Sequence, residues 1–263
     1  AAGPYVVYAG STMNEVGGNQ NNQPDYGETL LLTAGMRNSG GSDASNVMVT
    51  LSSTDEYVSI SDNSELYTSI PAGDTVYIPD GFAFSVSEIV PDGHNIEFTL
   101  TAVAGNSWVS QFSVVCHAPA LAAGGLVIDD ANGGNGNGRL DPGEHVIFKI
   151  PAFNNGSSAA LNTEAQVNTN SEWITFGNST VQLGTLNTMS SAETQFEAEV
   201  SSDAPAASIV ELNFELIAGG YSASATYFPP IKLIVEDFET GNFDAFPWTK
   251  LGQNLWMIST ESF

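Results

Sequence analysis

The chain has 263 residues, enough for two domains of ordinary size, since one domain usually takes ~100 to 200 residues. Five Lys and Arg against 30 Asp and Glu leave a net charge of −25, which repels phosphate backbones and anionic lipid. The balance argues against nucleic acid and against membrane insertion, favours divalent cations, and is joined by the lack of any apolar run of ~18 residues long enough to span a bilayer.

In chain order, "AAGPYVVYAG" lacks a basic stretch followed by an apolar one and reads as a mature or cut end, not as an intact signal peptide. Alternating segments follow, "LLLTAGMR", "VMVTLSS", "FAFSVS", "IEFTLTAV" and "WVSQFSVVC", separated by turns rich in Gly, Asn, Asp and Pro. Charged residues are only 13%, and no segment carries the apolar period of a helix, so the pattern predicts an all-β sandwich. Cys116 is the single cysteine, so no internal disulfide is possible and stability must come from cores and metal. "APALAAGG", residues 118–125, reads as a small-residue linker.

Beyond it the pattern returns. Sliding the sequence by 116 positions (141 − 25) sets "DYGETLLLTAGMRNSGGSDASN" on "DPGEHVIFKIPAFNNGSSAALN", pairing Asp25 with Asp141, Gly27 with Gly143 and Glu28 with Glu144. Asn38 falls on Asn154 and Asn46 on Asn162, in a signature that reads as a hairpin-like connection of structural purpose. Two tandem immunoglobulin-like β-sandwiches are therefore predicted, at residues 1–121 and 122–235, each near the ~100 residues such a fold takes. Residues 236–263 form a short C-terminal extension, too short to fold alone and suddenly rich in Phe and Trp, which reads as the start of a further β-domain. Its Phe243, Phe246, Trp248 and Trp256 read as core aromatics ahead of a sugar-stacking platform.

The most informative stretch is "DDANGGNGNGRLDPGEH". Asn135, Asn137, the Arg139 carbonyl and Asp141 are spaced two apart, which lets a tight loop point successive oxygens at one hard cation, and Glu144 closes the shell. Of the two acids at the end of the preceding strand, alternation turns one into the loop, and Asp130 is the one expected there. Calcium takes six to eight oxygens at ~2.3 to 2.6 Å and accepts amide and carbonyl ligands, so Ca2+ is the predicted cofactor. Strands, not helices, flank the loop, so it is no EF-hand. Asn19, Asn21, Gln23, Asp25 and Glu28 occupy the equivalent places in the first repeat, where Asn14 matches Asp130 and the lost charge predicts a weaker site.

No catalytic set stands out. His117 follows Cys116 directly on a strand, where neighbours point to opposite faces, and His94 and His145 fall in unrelated settings. The sequence therefore predicts a chain that is not an enzyme.

The "DxNGNGxxDPGE" start followed by "N-x-G-x-x-x-A-x-N" resembles the immunoglobulin-like modules of secreted Bacteroidetes proteins, notably those trailing gingipain-type cysteine peptidases. "EDFETGNFDAFPWT" is similar to the opening of cleaved-adhesin domains that follow such modules. The resemblance implies a secreted or cell-surface location and a parent protein whose catalytic domain lies outside this chain. It also implies a non-catalytic, calcium-stabilised spacer partnered by neighbouring domains. The alternative is an adhesion module that itself binds a host protein or glycan.

Overall fold

A computed structural model of the chain describes residues 3–232, so the extension at 236–263 and its aromatics lie outside the described residues. The described chain is all-β. Its first half carries eight strands, β1 (Val6–Glu15), β2 (Thr29–Asn38), β3 (Ala44–Ser52), β4 (Val58–Asp62), β5 (Ser64–Ile70), β6 (Thr75–Val86), β7 (Asn95–Ala104) and β8 (Asn106–Val115). They make two antiparallel four-stranded sheets, β1-β2-β6-β4 and β5-β3-β7-β8.

The second half carries β9 (Leu121–Ala123), β10 (Val127–Asp129), β11 (His145–Asn154), β12 (Ala160–Thr169), β13 (Ile174–Phe176), β14 (Thr180–Leu186), β15 (Ser190–Val200), β16 (Leu212–Ala218) and β17 (Tyr221–Tyr227). Here β9 and β10 both pair with β11, giving β10-β11-β15-β13 with β9 beside it, and β14-β12-β16-β17. The topology is that of the first half, with β1 replaced by two short pieces.

Each half buries one core between its sheets because alternate residues of each strand face inward, as in β7 and β15. Leu30, Leu32 and Phe84 meet Val49, Phe98 and Leu100 in the first, with the rings of Phe84 and Phe98 5.0 Å apart. Phe148 and Phe196 meet Val167 and Phe214 in the second, where Phe196 and Phe214 pack edge to face at 6.2 Å.

Two sequence expectations are corrected. Residues 118–125 are not a free linker: Ala118 is fully buried in the first core, and Leu121–Ala123 are the strand β9 paired with Ala152–Asn154. Nor is the Asn-Gly signature a hairpin, because it carries the chain from β2 in one sheet to β3 in the other, and from β11 to β12. At that corner Asn38 and Asn154 are wholly buried. Asn154 accepts from the amides of Ala120 (3.1 Å) and Gly156 (3.0 Å), and donates to the carbonyls of Ser158 (2.9 Å) and Leu186 (3.1 Å). Asn38 does the same with Tyr5, Gly40, Ser42 and Ile70. One side chain thus ties the entering strand to both sides of the corner. The following glycine is required by this closeness: a Cβ on Gly40 or Gly156 would sit 2.2 Å from the carbonyl oxygen of Gly3 or Ala118.

These pairs also reveal a register change. Ahead of the loops the repeats match at an offset of 115 (120 − 5), and beyond them at 116 (154 − 38). The second repeat therefore carries one extra residue within its loop.

Candidate functional site: two repeated oxygen-rich loops

In the second repeat, β10 delivers Asp129 and Asp130 to the loop. Asp129 turns outward and pairs with Lys149 at 2.7 Å, while Asp130 is buried and turns inward. The Asp130 carboxylate accepts the amides of Gly136 (3.0 Å), Asn137 (3.1 Å) and Gly138 (3.0 Å), winding the loop around itself. Glu144, also buried, accepts the amides of Asn135 (2.9 Å) and Asp141 (3.1 Å) from the other side. Asn135 and Asn137 both reach the Asp141 carboxylate, at 2.9 and 2.8 Å. The Arg139 carbonyl accepts no hydrogen bond among the described residues.

The first repeat builds the same knot. Asn19 and Asn21 reach the carboxylate of buried Asp25 at 2.7 and 2.9 Å, and Glu28 accepts the amides of Asn19 and Asp25, both at 3.3 Å. The Gln23 carbonyl accepts the Asp25 amide at 3.0 Å. The acid that plays the part of Asp130 is Glu15, not Asn14. The Glu15 carboxylate accepts the amides of Gln20 (2.6 Å) and Asn22, whereas Asn14 turns away to Asp80. Sliding the sequence without a gap hid Glu15, which sits at the offset of 115 (130 − 15) that holds ahead of the loops. The first loop therefore has three carboxylates, Glu15, Asp25 and Glu28, as the second has Asp130, Asp141 and Glu144, and the expected loss of charge does not exist.

Crowded acids leave a physical mark. Burial foremost, with the charges of Asp25 and Glu15 adding to it, raises the Glu28 carboxyl above its usual range against the pull of the Asn19 and Asp25 amides. In both loops a glycine lies against the carboxylates: a Cβ on Gly18 would come within 2.2 Å of Glu28, and one on Gly134 within 2.7 Å of Glu144. Gly134→Ala is expected to force Glu144 aside and lower the second unit's stability by about 1 to 3 kcal/mol, read as an earlier thermal transition.

Among the described residues no three His, Cys, Asp or Glu side chains converge as metal ligands, so a cation here would draw on amide and carbonyl oxygens as well as acids. The two asparagines supply them. With Nδ2 toward Asp141, as here, the trio is a hydrogen-bonded knot; with both amides rotated, three oxygens face one another and repel unless a cation lies between them. This donor set suits calcium better than zinc or magnesium.

The first loop also lies at the junction of the two units. Pro24 and Tyr26 bracket His117 through backbone hydrogen bonds (3.0 and 2.9 Å), and His117 lies between Cys116 and Ala118, the last buried residues of the first core. The Tyr26 hydroxyl donates to the Ala159 carbonyl of the second unit at 2.9 Å, and its ring meets Tyr221 edge to face at 5.3 Å. The Tyr221 hydroxyl in turn donates to the Val90 carbonyl of the first unit at 2.8 Å. Beside them Ser157 donates to Asp92 and meets His117 Nδ1 at 2.7 Å, while Asp92 also accepts the Ala118 amide at 3.0 Å. Burial alone would raise the Asp92 carboxyl, but Ser157, the Ala118 amide and His117 together hold it below its usual range.

Serine, histidine and aspartate meet here without forming a relay, because the carboxylate bonds the hydroxyl instead of orienting the imidazole. Cys116 is fully buried, and burial first, then Asp55 and Asp25, push its thiol up to about 11, the opposite of an activated nucleophile. His94 is tied to Asp55 at 2.8 Å, far along the chain from either loop.

No known protein family and no curated protein matches the chain. Among solved structures it is similar to one named BspA_C_mut, at 8% identity and a TM-score of 0.40 over 88% of this chain and 98% of that one. It is also similar to the C-terminal domain of the Streptococcus pyogenes antigen I/II-family protein AspA, at 10% identity and a TM-score of 0.42 over 84% of this chain and 98% of that one. A third likeness is to red sea bream transglutaminase, at 12% identity and a TM-score of 0.30, covering 88% of this chain and 31% of that one. Likenesses this distant assign no function.

Proposed function

We propose that the chain is a non-catalytic, calcium-stabilised tandem module that acts as a stiff spacer beside neighbouring domains of a larger secreted or cell-surface bacterial protein. The gingipain-like or adhesin-like parent is the one the sequence resemblance suggests. The observation that carries the reading is the junction: reciprocal tyrosine hydrogen bonds and the Asp92–Ser157–His117 cluster tie the two units together beside the chain crossing. A spacer needs such a joint, because a single strand crossing without lateral contacts would bend freely. Calcium at the first loop would stiffen Pro24–Tyr26, the segment that grips both His117 and Ala159.

Small-angle X-ray scattering tests this. The wild type is expected to scatter as one rigid elongated particle, and Tyr26→Phe combined with Ser157→Ala to broaden the distance distribution. Because the Asp92 carboxyl is held low, its contribution to the joint is present above the ordinary carboxyl pKa and is lost as pH falls through the lowered one. Acidification through that window should therefore loosen the wild type and leave the double variant little changed. A wild type that already scatters as two freely jointed bodies at neutral pH would sink the spacer reading.

A further inference from the structure

We propose that the outer face of β11, β15 and β13, beside the second loop, is a docking groove for an arginine-bearing segment of a partner protein. The groove encloses about 430 Å3. Half-buried Ile147 gives it an apolar floor, Phe176 borders it from the core side with its ring 6.0 Å from buried Phe148, and His145, Glu197 and Glu199 stand exposed around it. Asp129 at its edge is already neutralised by Lys149, whereas Glu197 and Glu199 have no ion-pair partner among the described residues.

The first repeat is an internal control. Its strands pair in the same register, Thr29 with Ser85 and Leu31 with Ala83, where the second repeat pairs His145 with Glu199 and Ile147 with Glu197. In the first unit Thr29 and Ser85 meet in a hydroxyl hydrogen bond of 2.8 Å and line a groove of about 360 Å3 with no carboxylate at those positions. The second unit places two carboxylates at the same positions on one strand, two residues apart and so on one face. Two carboxylates on the same face of one strand repel each other. The fold does not require them, since the first repeat builds the same sheet with Ala83 and Ser85.

The chemistry selects the occupant. A guanidinium is a planar fork that bonds carboxylates two at a time, and its weakly hydrated flat face lies readily against an apolar side chain such as Ile147. A bare cation is a poorer fit, because no metal-ligand cluster forms among the described residues and most of the lining surface is apolar. The net charge of −25 draws a basic partner toward the whole molecule, and the groove gives it one place to stop.

The test is NMR titration of the whole chain with a short capped peptide carrying two arginines, in calcium and in EDTA, because Gly133 of the loop borders the groove. Saturable shifts confined to Ile147, Thr175, Phe176, Glu197 and Glu199 are expected, with affinity weakening as salt rises. Glu197→Gln with Glu199→Gln should weaken binding at least tenfold, a lysine peptide should bind less tightly, and Glu211→Gln just before β16 with Glu215→Gln on β16 should change little. Non-saturating shifts spread over the acidic surface, or equal binding by the groove and β16 variants, would overturn the proposal. These outcomes are separate from the spacer reading, since neither pair of substitutions touches the junction.

Discussion

Asn154→Ala is expected to lower the stability of the second unit by about 3 to 5 kcal/mol, the largest effect of any single polar substitution in it. The side chain is wholly buried, accepts from two amides and donates to three carbonyls, those of Ser158, Leu186 and Asn187. Alanine takes this partner from all of them, and each buried polar group left orphaned costs roughly 1 to 3 kcal/mol unless water reaches it. For a unit of this size the loss corresponds to a fall of roughly 10 to 20 °C in its transition. Asn155→Ala, one residue on and exposed, should stay within about 0.5 kcal/mol. Asn154→Asp separates hydrogen bonding from packing: it keeps the shape but turns a carboxylate toward the Ser158 and Leu186 carbonyls. It should therefore be more damaging at neutral pH than in acid, where the protonated carboxyl donates again. Calorimetry showing only a small loss for Asn154→Ala would mean that the corner is held by its backbone alone.

Calcium is expected to raise the second unit's transition, by an amount that grows with concentration. A cation that binds only the folded form adds RT ln(1 + [Ca]/Kd), about 2.7 kcal/mol at a hundredfold excess over Kd. In a chain without disulfides that is a large share of a unit's stability. Asp141→Ala should abolish the rise in the second unit and Asp25→Ala the rise in the first, because each carboxylate is the meeting point of its two asparagines. The sharper discrimination comes from Glu15→Gln and Asn14→Ala. Glu15 holds the loop amides and Asn14 does not, so only the first substitution should weaken the calcium response of the first unit. Melting curves identical in EDTA and calcium would make both loops self-satisfied turns and remove the metal from the proposed function.

Much of the fold was legible because it repeats. Alternation in "FAFSVS" and "IEFTLTAV" marks strands by period alone, and a match spanning Asp25/Asp141 to Asn46/Asn162 can only mean one unit used twice. The loop was legible for a similar reason: oxygen-bearing residues at alternate positions are a local pattern, and Asp129 and Asp130 differ in direction by strand geometry.

What the tertiary structure alone decided are the features built from residues far apart in sequence. Asn38 and Asn154 look like turn residues until their partners are seen 32 to 34 positions away. Glu15 stayed hidden because a one-residue difference inside the loop breaks the register on which an ungapped repeat depends, while the folded loop closes on whichever carboxylate faces its amides. Residues 118–125 read as a linker because small residues lack a strong strand signal, and it is pairing to β11 that makes β9. The junction was invisible altogether, since Tyr26 and Ala159, and Val90 and Tyr221, stand 133 and 131 positions apart. Local pattern determines which segments become strands and loops. Which polar groups are buried together, and so must satisfy one another, is settled only when the sheets close over them.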